Sequence, residues 1–448
     1  MICQFFELLA MSNKCFIVIA GTVDNLSFHY ACFIALNLSR LLPNFHFQKI
    51  CKDVTEWEAH EVERKIGSLE IKKEYRRVTV VGAGRSLCLD LISQLTAIRE
   101  LHLSRGIVFS LYDEPENFSK LERITKELRN VDEDLNAMIV RDMSSGLRDC
   151  DILIFLEDMT REECKDHDTW YRENYDRMKT LSQQINEYAP CQIKIVFCSA
   201  GPTCLCATIL RNLAAKSPET SVVVVSAHYG LEVVHDMTES LDTDRRDFGC
   251  PPVWGFLGIS QFVDVCHMVQ KRNIYSLGKG DTSAEAKEST LKLPGVEQAG
   301  LKWFCSFKDN ENRYGDYLRR KITTQRQVDP QKENLRKCRA ICDLLKLWHK
   351  ESVGDEIIAL GISSDGSFGI PSGIVFSQPA CLKISDGGAR VWVPCDDFPL
   401  PDMPVSIFRN LISTAVEITR RLMSADTKYD VSKIPENDML PKDVVPNS

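Results

Sequence analysis

Short apolar runs recur at regular intervals through the first half of the chain. Val78-Thr79-Val80-Val81, Ile107 to Tyr112, Ala137 to Val140, Asp151 to Leu156, Ile193 to Cys198 and Val222 to Val225 are rich in β-branched and aromatic residues. Such runs, buried on both faces, are the mark of parallel strands. Between them the apolar positions switch to helical spacing, over Leu87 to Leu101, Leu121 to Arg129 and Thr203 to Ala215. A polar loop, Glu157 to Asp168, leads into a further long helix that ends near Tyr188. Strands alternating with helices in this order predict a doubly wound parallel sheet of six strands.

The second half has another character. Residues 230–310 mix helix with short strands and include a Gly/Ser/Lys-rich patch, Ser276 to Thr290. A long helix is predicted over Gln331 to His349, then antiparallel strands at Ile357 to Leu360, Gly373 to Ser377 and Val391 to Val393. An amphipathic helix, Val405 to Leu422, closes this part, and the polar, proline-containing tail from Asp426 onward reads as disordered. Near the start, Phe16 to Gly21, Phe28 to Leu42 and Phe45 to Ile50 form one small βαβ unit, too small to bury a stable core alone. The fold class is thus α/β: a Rossmann-type doubly wound sheet, a mixed α+β C-terminal domain and a small N-terminal βαβ unit. No internal repeat is evident.

Composition narrows the function classes. The 448 residues are 44% hydrophobic and 26% charged, ordinary for a globular chain. A net charge of −8 argues against nucleic acid as the main partner. The basic run Arg319-Arg320-Lys321 reads as a solvated helix face. No apolar run approaches the ~20 residues of a membrane span. Eighteen cysteines without a CxxC pair or a secretory signal point to a reducing, cytoplasmic setting and to no metal site.

The candidate chemistry lies at the first strand. Val81-Gly82-Ala83-Gly84-Arg85 is a glycine turn between strand and helix, where a pyrophosphate can approach backbone amides at a helix N-terminus. The next strand ends in Asp113, where a dinucleotide site places an acid for the ribose hydroxyls and thereby favours NAD over NADP. Gly82, Ala83, Gly84 and Asp113 are accordingly the candidate cofactor-binding residues. Arg85 either reaches the pyrophosphate or fills the groove and blocks it.

A specific resemblance adds to this. Gly361-Ile362-Ser363-Ser364-Asp365-Gly366-Ser367-Phe368-Gly369-Ile370-Pro371-Ser372-Gly373-Ile374-Val375-Phe376-Ser377 resembles the C-terminal-sheet signature of cytosolic malate dehydrogenases. Arg339 to Asp343 with Trp348 resemble that family's preceding long helix, and Trp254-Gly255 its "WGNH" strand. Ile19-Ala20-Gly21 before Asp24 is similar to the N-terminal unit of a divergent branch of the lactate/malate dehydrogenase superfamily, where it begins a thioredoxin-like domain. The implied organisation is a thioredoxin-like remnant at 12–60, an NAD-binding Rossmann domain at 77–226, a C-terminal domain of the lactate/malate dehydrogenase type at 227–424 and a tail at 425–448. The implied activity is hydride transfer between malate or oxaloacetate and NAD, and the resemblance also implies a homodimer. That reaction needs a histidine oriented by an aspartate, and arginines that clamp two carboxylates.

Carried over position by position, the resemblance divides. The family's mobile loop falls on Met159 to Asn174, with Arg161 on a carboxylate-binding arginine, Asn174 on a cofactor-contacting asparagine and His167 where a second arginine stands. The deeper positions differ. The asparagine after the fifth strand falls near Ala200, the aspartate and arginine of the "LDHNR" segment on Tyr229 and Glu232, and the proton-accepting histidine on Leu257. Glu232 puts negative charge where a dicarboxylate must bind. His228 is the candidate substitute base, or else a structural histidine. Arg336 and Lys337 of the long helix either hinder a nicotinamide or face solvent. Two readings stand: an oxidoreductase with a relocated base, and a catalytically inactive NAD-binding or interaction scaffold.

Overall fold

The computed structural model describes residues 74–131, 135–214, 221–241, 250–264, 267, 330–350, 352, 356–385 and 388–424. The chain divides into two compact units, Met1–Lys73 and Glu74–Ser448. The N-terminal βαβ unit, the patch Ser276 to Thr290, the run Arg319 to Lys321 and the polar tail lie outside the described residues.

Within Glu74–Ser448 the predicted alternation appears in order. The strands are β1 (Arg76–Val81), β2 (Ile107–Tyr112), β3 (Asn136–Ile139), β4 (Ile152–Phe155), β5 (Lys194–Phe197) and β6 (Val222–Val225). The helices between them are α1 (Ser86–Leu95), α2 (Phe118–Val131), α3 (Met143–Leu147), α4 (His167–Tyr188) and α5 (Thr203–Leu213). Then follow α6 (Ala227–Leu241), the hairpin β7 (Val253–Phe256) and β8 (Ser260–Val263), α7 (Pro330–His349), β9 (Ile357–Ser363), β10 (Val375–Ile384), β11 (Arg390–Pro394) and α8 (Val405–Met423). The first helix stops at Leu95, earlier than its apolar pattern suggests. The residues Arg99–Leu101 continue as a separate 3-10 turn.

The sheet order is β3-β2-β1-β4-β5-β6-β9-β10-β7-β8, with β11 on β10. β1 to β6 are all parallel, and the order reverses between β1 and β4, the place where a doubly wound sheet opens a crevice. β9 joins β6 antiparallel through Val224↔Gly361. One sheet therefore runs across the boundary between the two halves that the sequence pattern separates.

Side-chain alternation explains the layers. Ile152 and Ile154 of β4 face one core with Val78, Val196, Val223 and the helices α1 and α7. Leu153 and Phe155 face the other, with Ile195, Phe197, α4, α5 and α8. β6, Val-Val-Val-Val, is buried at every position, as a central parallel strand requires.

Candidate functional site

Gly82 follows β1 with φ +77, a backbone state open to glycine at no steric cost. Its own site is crowded: a Cβ there would lie 2.6 Å from the Glu157 backbone nitrogen and 2.8 Å from Glu157 Cγ. Gly84 presents its N–H to Asp113 Oδ2 at 2.7 Å. The same carboxylate accepts from Glu114 N and from Asn117 Nδ2, both at 2.8 Å, which fixes it at the mouth of the turn. Glycine turn and ribose acid thus meet.

Two residues past β4 the picture changes. Glu157 is buried to 8% exposure, and burial raises its carboxyl pKa above the ordinary range, while Arg177 pulls the other way. Arg177 lies 2.6 Å from Glu157 and 3.6 Å from Glu114. Arg85 stands at the N-cap position of α1 and pairs with Asp158 at 2.8 Å. Burial opposes ionisation of Asp158, but hydrogen bonds from Thr160 and Arg85 outweigh it and hold this carboxyl down to about 2. Arg85 and Asp158 therefore bridge the ends of β1 and β4, across the track that a pyrophosphate takes in this fold.

The residues present thus fit the adenosine ribose of NAD and not its pyrophosphate. Asp113 and the Gly82-Ala83-Gly84 turn suit an adenosine ribose. Four carboxylates (Asp113, Glu114, Glu157 and Asp158) against two guanidiniums, Arg85 and Arg177, do not suit a pyrophosphate. Sequence reading singled out Arg85 but missed Glu157, Asp158 and Arg177. The available signal was two consecutive acids directly after a fully apolar strand.

The positions to which the resemblance assigns the catalytic groups are engaged in packing. Leu257 is 0% exposed, at the turn of the β7–β8 hairpin. Its carbonyl oxygen accepts from Cys204 N and Thr203 Oγ1, both at 3.4 Å, and so satisfies the first turn of α5. Gly258, at φ +84, is pressed so closely on the Gly201 carbonyl that a Cβ would overlap it. Tyr229 hydrogen-bonds Gln261, whose Oε1 accepts from Gly258 N at 3.2 Å. Burial raises the Tyr229 hydroxyl pKa.

Glu232 and Arg336 are 3.5 Å apart with 23% and 14% of their side chains exposed, so the charge read as hostile to a dicarboxylate is paired across α6 and α7. Lys337, also predicted to hinder or to face solvent, is 9% exposed and pairs with Glu333 at 2.6 Å. The His228 ring packs tilted against Tyr229, 4.1 Å between ring centroids. Burial first, then Lys337 and Arg336, lower its pKa to about 3. Among the described residues its buried Nδ1 has no hydrogen-bond partner.

The loop residues are likewise used locally. The Arg161 guanidinium donates to the Lys165 carbonyl, and the side chain is exposed. Asn174 is buried in the second turn of α4, donating to Trp170 O at 2.8 Å, with its oxygen 3.9 Å from Cys206 Sγ. Trp170 holds the loop start through a 2.8 Å bond to Met159 O. His167 opens α4 on the surface, 6.1 Å from Trp170. Ala200 joins the ends of β4 and β5 through a bond from Met159 N at 2.9 Å.

No family model matches the chain. It is similar to "Malate dehydrogenase, cytoplasmic" of Zea mays, 22% identical over 73% of this chain and 92% of that one. It is also similar to "Putative malate dehydrogenase 1B" of Homo sapiens, 22% identical over 76% of this chain and 62% of that protein's length. Among solved structures, malate dehydrogenase from Naegleria fowleri has a TM-score of 0.62 at 16% identity, covering 79% of this chain and 99% of that one. Trichomonas vaginalis lactate dehydrogenase, in complex with NADH and oxamate, gives 0.58 at 16% identity, over 78% and 98%. The chain has the lactate/malate dehydrogenase fold and is a distant relative of the malate dehydrogenases, the 1B branch included.

Proposed function

We propose that the chain is a malate dehydrogenase-like protein that does not carry out malate/oxaloacetate hydride transfer and serves as a binding or interaction scaffold. The observation that carries this is Leu257. The position of the family's proton acceptor holds an aliphatic side chain at 0% exposure, and its carbonyl caps α5. Hydroxyl-group oxidation needs a base within hydrogen-bond reach of the substrate and a carboxylate to orient it. His228 is a poor substitute, being buried, neutral and, among the described residues, unpartnered at Nδ1. The clamp position is Glu232, neutralised by Arg336 rather than available to a substrate.

NAD, where this fold binds it, supplies the hydride-accepting ring. Here Asp113 and the glycine turn support contact with an adenosine ribose, and the Arg85–Asp158 and Glu157–Arg177 pairs oppose the pyrophosphate. A homodimer, implied by the resemblance, and a cytoplasmic location, after the cytoplasmic relatives, belong to the proposal. The second reading, a dehydrogenase with His228 as relocated base, draws on the Gly84–Asp113 contact.

Fluorescence titration of the full chain with NADH, repeated on Asp113→Ala, tests the proposal. The expected result is weak binding that Asp113→Ala weakens further. Tight binding of NADH together with turnover lost in His228→Ala overturns it in favour of the second reading.

A further inference from the structure

The cysteines of the described residues are free thiols, and they fall into different settings. Cys88, Cys150, Cys198, Cys204, Cys206 and Cys338 are buried in the two cores, where a thiol serves as a small hydrophobe. Cys381 and Cys395 are only half-buried, and the antiparallel ladder of β10 and β11 brings them together. Its register sets Cys381 opposite Val393 and Leu382 opposite Trp392. Leu382 and Trp392 face the core under α7, so Cys381 and Val393 face the other way. Cys395, two residues past Val393, shares that second face and packs against the core under α5 and α8.

The backbone at this corner is fixed. Cys395 N donates to Pro379 O at 3.0 Å, which carries the ladder one step past β11, and Phe398 N donates to Cys395 O at 2.9 Å. Diagonal neighbours on such a ladder lie about 7–8 Å apart at Cα, the outer edge of what a disulfide spans, and right-handed twist draws one diagonal closer. Here the Cys395 thiol is hydrogen-bonded to that of Cys381, so this is the near diagonal. Cys338 and Cys342 also approach each other, one turn apart on α7, but Cys338 is fully buried. The β10–β11 pair therefore joins two properties, sulfurs in contact and access to a solute.

We propose that Cys381 and Cys395 form a redox-active dithiol that closes to a disulfide by exchange with a small-molecule disulfide of the glutathione class. Burial first, then Cys381 and Asp397, push the Cys395 thiol up to about 11, which makes it a poor opening nucleophile. The opening attack thus falls to Cys381. Its sulfur, the proton lost to solvent, attacks one sulfur of the oxidant. A mixed disulfide forms at Cys381, the oxidant's S–S bond breaks, and one glutathione leaves as the thiolate. Cys395, held beside the mixed disulfide, then attacks the Cys381 sulfur. The Cys381–Cys395 bond forms, and the second glutathione leaves with the Cys395 proton. The dithiol gives up two electrons and the oxidant becomes two thiols. Closure ties β11 covalently to β10, the one strand it pairs with among the described residues. The site is independent of the reading offered for the cleft.

The test is incubation of the full-length chain with glutathione disulfide, followed by peptide mass mapping without reduction. The expected product is a Cys381–Cys395 cross-linked peptide pair that dithiothreitol restores to free thiols. Cys395→Ser should stop at the first step and accumulate glutathione on Cys381. The same oxidation in denaturant, where the ladder no longer aligns the sulfurs, should not favour this pair. The wild-type map decides the matter even if the serine variant does not fold. A folded chain in which both thiols stay free, in which both end as glutathione adducts, or in which either pairs with another cysteine overturns the proposal. So does an equal preference for this pair in denaturant.

Discussion

The two ends of the cleft have diverged by different physical routes. Around Gly82 and Asp113 the backbone geometry of a dinucleotide fold persists, and the change is electrostatic: Glu157 and Asp158 bring carboxylates to the pyrophosphate track, each tied to an arginine. Around Leu257 the change is steric. The hairpin turn is packed on Gly201 and α5, and Leu257, where the resemblance puts the proton acceptor, lies in the core. Charge is readily altered by one substitution or by protonation, whereas a packed core is not. The end at Gly82 and Asp113 is therefore the reversible half and the end at Leu257 the irreversible one.

That contrast ranks the expected effects. The largest is Gly258→Ala: its Cβ would overlap the Gly201 carbonyl at a positive φ, and a loss of about 3 kcal/mol or more is expected in denaturant unfolding. Leu257→Ala removes a fully buried side chain and is expected to cost about 2–5 kcal/mol in the same measurement. A small effect there would break the claim that this end is core.

Acidification comes next. His228 and His349 have folded pKa values of about 3, below the ordinary 6.5. Between those values the unfolded chain binds protons that the folded chain refuses. Stability should thus be unaffected by these groups above pH 6.5 and fall below it, by about 1.4 kcal/mol per pH unit for each histidine. His228→Gln should flatten that fall in a series of melts from pH 7 to pH 4.

At the end near Asp113, Glu157→Ser removes the carboxylate over the glycine turn and leaves Arg177 with Glu114 alone of its partners Glu157 and Glu114. NADH affinity is expected to rise about tenfold, the scale of one charge contact. Because burial raises the Glu157 pKa, acidification toward that value should strengthen NADH binding in the wild-type chain and not in Glu157→Ser. The smallest effect is at the loop. Arg161→Ala, which removes an exposed contact to Lys165, should leave stability within about 0.5 kcal/mol and NADH binding unchanged.

Much of the fold was legible because burial wrote it into composition. The runs Val222 to Val225 and Ile152 to Phe155 lack polar positions, and only a parallel strand or a helix interior tolerates that. The hairpin Val253–Val263 was harder to read: Gly255, Gly258 and the short four-residue strands give no clear period. The glycine turn and Asp113 were visible as a motif, and the structure brings them into contact. What the sequence could not show was pairing between distant positions. Arg85 had two opposite readings until Asp158 appeared beside it, and Glu232 read as a bare repulsive charge until Arg336 neutralised it. Arg161 and Asn174 matched by spacing alone, but local bonds to Lys165 O and Trp170 O decide where their side chains go.

The most direct test of the closed catalytic half is oxaloacetate-dependent oxidation of NADH by Glu157→Ser, the variant in which cofactor affinity is expected to be highest. The account predicts bound NADH and no oxidation above the rate without protein, since neither a base nor a carboxylate clamp stands at Leu257 and Glu232. Oxidation that depends on both oxaloacetate and protein, and that disappears in His228→Ala, would contradict it.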